Sequence, residues 1–115
     1  MKGLTMQGNS LYCMTYGFQH DENWRNWINE SLKQIAKTRG RLYCEIKAES
    51  YQLLEERGGC YLENYLVSLW NRLKRTGASR IMINRTNRLD AIEADTKLRE
   101  IYTMIIKEML IQYVI

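Results

Sequence analysis

Residues 66–88 read LVSLWNRLKRTGASRIMINRTNR. Leu66, Leu69, Trp70 and Leu73 recur at three- and four-residue spacing, which places them on one face of a helix. With Leu62 they form the cleanest apolar stripe in the chain. Gly77 suits the backbone turn that ends such a helix. Ser79 suits the cap of a second, short helix running through Ile83 or a little beyond. This is the pattern of a helical hairpin, and the same punctuation recurs on both sides of it.

Upstream, Asp21 can cap a helix carrying Trp24, Trp27, Ile28, Ser31, Leu32 and Ile35, ended by Arg39-Gly40. Leu42, Ile46, Ser50, Leu53 and Leu54 mark the next helix, stopped by Gly58-Gly59. Downstream, Asn87 or Asp90 begins a short turn with Leu89 and Ile92, and Asp95 caps a last helix. There Leu98, Ile101, Tyr102, Ile105, Met109 and Gln112 share a face, and the ending IIKEMLIQYVI is apolar on more than one side. Tyr12, Met14, Tyr16 and Phe18 alternate like a strand without a partner, so residues 1–20 read as an arm or an extended segment laid across the helices. The expected fold is all-α: one domain over residues 1–115, a compact bundle of five or six short helices. Proline is absent, although average usage of about 5% would supply five or six. Helices can therefore run uninterrupted, and turns rely on glycine and asparagine.

A chain of 115 residues can bury one core but not a large enclosed cleft. No window approaches the roughly 20 apolar residues that span a membrane. The N-terminus lacks the charged, apolar, small-residue order of a signal peptide. A cytoplasmic location and no membrane partner are expected. Cys13, Cys44 and Cys60 are odd in number and widely spaced, which forms neither a disulfide framework nor a CxxC site. Reduced and mostly buried thiols are expected, with no metal and no cofactor. The lone His20 sits beside Asp21 at a helix start, where a surface role is the ordinary explanation. Asp90, Glu93 and Asp95 resemble a cation-holding carboxylate set, yet Asp90 and Asp95 also fall where helix caps belong. No convincing catalytic set emerges, and the chain reads as a non-enzyme.

Charge is distributed unevenly. Residues 1–63 hold eight basic and eight acidic side chains, and residues 90–115 hold three and five. The 26 residues between, 64–89, hold six basic side chains and no carboxylate, so the formal charge of +4 arises there. A surface of one sign attracts polyanions. Gly77–Arg85 resembles the turn and second helix of a DNA-binding helix-turn-helix, with Ile83 pinning the second helix to the first. Arg80, Asn84 and Arg85 would then face the nucleic acid, and Arg72, Lys74, Arg75 and Arg88 would contact phosphate. Leu73 stands where such motifs carry a small residue, and Arg72 where an apolar one is common. Duplex DNA is the favoured partner.

Tyrosines and tryptophans number eleven against a single phenylalanine. They pack apolar bodies while keeping a polar atom near water. Trp24, Trp27, Tyr61 and Tyr65, with Ile106, Leu110 and Tyr113 near the C-terminus, are the expected interface residues of a homodimer or of a docking surface for a partner protein.

The phrases YCEIKAESYQLLEERGGC, NRLKRTGASR and LDAIEADTKLREIYTMIIKEML, in this order, resemble the carboxy-terminal domain of phage antirepressor-type regulators. The resemblance covers about residues 30–115 and carries no catalytic or ligand motif. It implies a small helical domain working in lytic–lysogenic control inside a bacterial host. In that family the domain accompanies an amino-terminal DNA-binding domain, for which residues 1–29 are too few. A phage-encoded inhibitor of a host defence or nucleic-acid-handling complex, acting without DNA affinity of its own, is the second expectation.

Overall fold

The computed structural model describes residues 21–114. The expectations for the Tyr12–Phe18 segment, Cys13 and His20 lie outside the described residues. Six helices run in order: α1 (Glu22–Arg39), α2 (Tyr43–Gly58), α3 (Leu62–Arg75), α4 (Arg80–Arg85), α5 (Arg88–Ala94) and α6 (Thr96–Tyr113). Among the described residues there is no strand, and the architecture is the all-α bundle expected.

The helix starts follow from short polar side chains. Asp21, Ser79, Asn87 and Asp95 each accept from a backbone N–H of the turn they open, which satisfies a donor that has no partner inside the helix. Asp90 completes the cap of α5 by accepting from the Asn87 N–H at 2.8 Å. Leu42 cannot cap, and the Glu45 carboxylate accepts its N–H instead, at 3.2 Å. The stop after α3 decides how α4 is placed. Gly77 takes φ 87°, a left-handed conformation that disfavours residues with a Cβ. The Gly77 N–H then donates to the Lys74 carbonyl at 3.2 Å and the Ala78 N–H to the Leu73 carbonyl at 2.9 Å. Ala78 packs on the cluster that contains Leu73, closing the turn with an apolar contact.

Two apolar clusters divide the molecule. The larger is made by α1, α2 and α6, with Ile28, Leu32, Ile35, Ile46, Leu54 and Ile105 all essentially inaccessible. A fully buried polar link crosses it between Ser50 and Tyr102, whose hydroxyls lie 2.8 Å apart, and the Trp24 indole N–H donates to the Thr103 hydroxyl at 2.9 Å. The smaller cluster joins Leu66, Leu69 and Leu73 of α3 to Ala91 of α5, with Trp70, Ala78 and Ile83 partly buried against it. Leu89 and Ile92 of α5 face the other way, into the larger cluster. Helix α5 thus carries α3 on one side and the main core on the other, while α4 is held by α3.

Charge secures the α5 junction. Arg25 of α1 is mostly covered and pairs with Asp90 and with Glu93, the latter at 2.6 Å. The Asp21 N–H donates to the second Glu93 oxygen at 2.5 Å. Burial alone would lower the Arg25 pKa, but its hydrogen bonds to Glu93 and Asp90 outweigh that and hold it above the usual arginine value. Arg99 of α6 reaches Asp21 and lies over the Trp24 ring, 4.8 Å from its centroid.

Candidate nucleic-acid interface

Helix α3 buries Leu66, Leu69 and Leu73 against a partner helix of only seven residues, while Leu62 at its start lies in the main core. Most of its circumference is therefore left to solvent, and Arg72, Lys74 and Arg75 stand on that exposed part. Helix α4 buries no residue completely; Ile83 is its partly buried anchor, and Arg80, Asn84 and Arg85 are exposed. Helix, glycine turn and capped helix are all present, but the second helix has six residues, a rise of about 9 Å.

The arginines fall into two groups. Arg25, Arg39, Arg41, Arg57, Arg88 and Arg99 each form an ion pair with a carboxylate. Among the described residues no carboxylate lies within ion-pair distance of Arg72, Arg75, Arg80 or Arg85. Arg88 belongs with the first group, because Glu63 at the start of α3 accepts from it at 3.1 Å. Its charge is partly neutralised, which weakens it as a phosphate contact.

The basic residues do not share one face. Lys74, Arg80 and Asn84 line a groove of about 530 Å³ together with Trp70, Ala78 and Ile83. Trp70 and Lys74 are four apart on α3, and Arg80 and Asn84 four apart on α4, so each pair shares a helix face. Arg72 and Arg75 are two and one residues from Lys74 and do not line the groove. Arg85 is likewise absent from its walls. The Trp70 indole N–H donates to the Thr86 carbonyl at 3.3 Å, which fixes the ring beside the groove.

The helical spacing places Trp70 in the apolar stripe, apart from the expected nucleic-acid contacts. It stands at the edge of that stripe, four residues before a lysine, and this offset is the available signal. The carboxylates resolve into structural roles. Asp90 and Glu93 engage Arg25, and Asp95 accepts from the Leu98 N–H at 2.9 Å. Among the described residues no three Asp, Glu, His or Cys side chains gather as metal ligands. The expected burial of the thiols is corrected: Cys44 is exposed, and Cys60 is only partly covered at the edge of the main core.

The expected interface residues need correction. Ile106 is fully buried and Trp24 is 9% exposed, both in the main core. Their apolar bodies are spent between α1, α2 and α6 and are unavailable to a partner. Trp27, Tyr65, Leu110 and Tyr113 are half-buried against the same core, and Arg39 covers Tyr113 at 4.2 Å from the ring centroid. Tyr61, 72% exposed, remains as a surface aromatic. Among the described residues no helix is long and apolar enough to cross a membrane. No family model, curated protein or solved structure matches the chain.

Proposed function

We propose that this chain binds nucleic acid through the basic surface of α3 and α4, as a small regulator of the kind the antirepressor resemblance implies. One observation carries the reading. Six described arginines are satisfied by carboxylates, and the four between 72 and 85 are not. Clustered like charges repel one another, and an arrangement without compensating carboxylates favours an anionic ligand. Guanidinium groups suit phosphate, which they can hold through two parallel hydrogen bonds.

A homodimer belongs to the same proposal, since a second basic face would double the phosphate contacts. Met104 and Ile111, seven apart on α6 and both more than half exposed, offer apolar surface for it. The test is a low-salt titration with labelled DNA, single-stranded and duplex, beside a light-scattering mass. The variant carrying Gln at 72, 75, 80 and 85 should lose binding, and one carrying Gln at Lys37 and Lys97 should keep it. Failure of the folded protein to bind either form of DNA rejects the reading.

A further inference from the structure

The groove between α3 and α4 has features that a plain phosphate-binding face does not require. One wall holds a tryptophan whose ring is fixed by its bond to Thr86. Two cations, Lys74 and Arg80, and one amide, Asn84, share the groove with it, and among the described residues no carboxylate lines it. Its volume of about 530 Å³ lies within the roughly 300–1,000 Å³ typical of small-molecule sites. Single-stranded nucleic acid is held by this combination: an aromatic platform for a base and cations for the backbone. An amide can meet the edge of the stacked base.

The same geometry works against reading a duplex. A recognition helix presents its base-reading side chains away from the helix behind it. Here Arg80 and Asn84 line a groove shared with α3. The residues of α4 outside that groove include Arg85 and Ile81, the latter 64% exposed. A helix of six residues, about 9 Å long, offers little further surface to a major groove.

We infer that the α3–α4 groove takes one unpaired nucleotide of a single strand. The base lies against Trp70 with its edge toward Asn84, and the adjoining phosphates meet Lys74 and Arg80. Arg72, Arg75 and Arg85, outside the groove, guide the rest of the strand. This inference rests on the nucleic-acid reading above and names the ligand class of that site.

The experiment compares three labelled ligands by fluorescence anisotropy: an 18-residue pyrimidine strand, its duplex with the complementary strand, and an abasic strand with the same number of phosphates. The pyrimidine strand should bind about tenfold or more tightly than the abasic strand, and more tightly than the duplex. Trp70→Leu, which keeps apolar bulk, should remove the advantage over the abasic strand, and Trp70→Tyr should keep most of it. Asn84→Ala changes an exposed side chain and should narrow the advantage without touching the core. Equal binding of pyrimidine and abasic strands overturns the groove assignment and leaves the phosphate reading standing. So does tighter binding of the duplex, or an advantage that survives Trp70→Leu. Binding of none of the three removes both readings together.

Discussion

The indole N–H of Trp70 and the backbone carbonyl of Thr86 lie 3.3 Å apart, and their hydrogen bond ties α3 to the link between α4 and α5. Thr86 is itself buried, with its hydroxyl donating to the Met82 carbonyl at 2.9 Å. The groove is thus bounded by a ring that cannot swing away without breaking a bond to the neighbouring segment. Trp70→Phe removes the bond and keeps an aromatic ring. Stability should fall by about 1 kcal/mol, a drop of about 4–8 °C in Tm, measured by thermal denaturation, while binding of a single strand is largely retained.

The two groups of arginines should respond oppositely to neutralisation. Arg25→Gln removes the guanidinium that pairs with both Asp90 and Glu93 at the α1–α5 junction, and breaking a buried pair by removing one member costs about 3 kcal/mol or more. Arg72→Gln or Arg75→Gln removes an exposed, unpaired charge and should move stability by no more than about 0.5 kcal/mol. Urea denaturation of the three variants checks the contrast. Nucleic-acid affinity should fall in the second pair and not track their stability.

The buried polar pair of the main core calls for a double-mutant cycle. Ser50 donates its proton to the Lys47 carbonyl at 2.7 Å, so the Tyr102 hydroxyl is the donor in the Ser50–Tyr102 bond. Burial pushes the Tyr102 phenol well above the usual tyrosine value and keeps it neutral. Ser50→Ala strands the phenol and should cost about 1–3 kcal/mol, whereas the double variant with Tyr102→Phe should recover part of that loss. Independent, additive losses would contradict the pairing.

Acid should release the N-terminus of α1. The Asp21 carboxylate accepts from the Trp24 N–H and pairs with Arg99, which holds its pKa below the usual value of 3.8. A depressed carboxylate pKa contributes stability that is present above the unfolded value and is lost as pH falls through the folded one. Stability measured against pH should therefore lose this contribution below about pH 3.8. Asp21→Asn should show a flatter acid limb, because asparagine still caps the helix but does not titrate.

Helix order was legible in the sequence because its signals are local. Apolar spacing marked α3 and α6, and Asp21, Ser79, Asn87 and Asp95 sit where caps were expected. Gly40, Gly59 and Gly77 take the left-handed conformations expected at helix ends. The basic run was equally plain. The partners were not, because pairing joins residues far apart in the chain. Nothing near Asp90 or Glu93 points to Arg25, 65 and 68 residues away. Nothing near Arg88 points to Glu63. Burial of Trp24 and Ile106 was likewise hidden, because periodicity shows that a side chain has a face but not which helix covers it. The seven-residue α5 is the case in point: its short pattern gave no sign that it packs against both clusters.

The central claim is that unpaired basic residues of α3 and α4 hold nucleic acid, and salt dependence tests it most directly. Each phosphate contact contributes about −0.7 to the slope of log affinity against log salt for a single strand. Four or five contacts therefore predict a slope of roughly −3. The prediction is such a slope for the unaltered protein, reduced by about 0.7 for each of Arg72, Arg75, Arg80 and Arg85 changed to Gln. A slope near zero, or one unchanged by all four substitutions, would contradict the account.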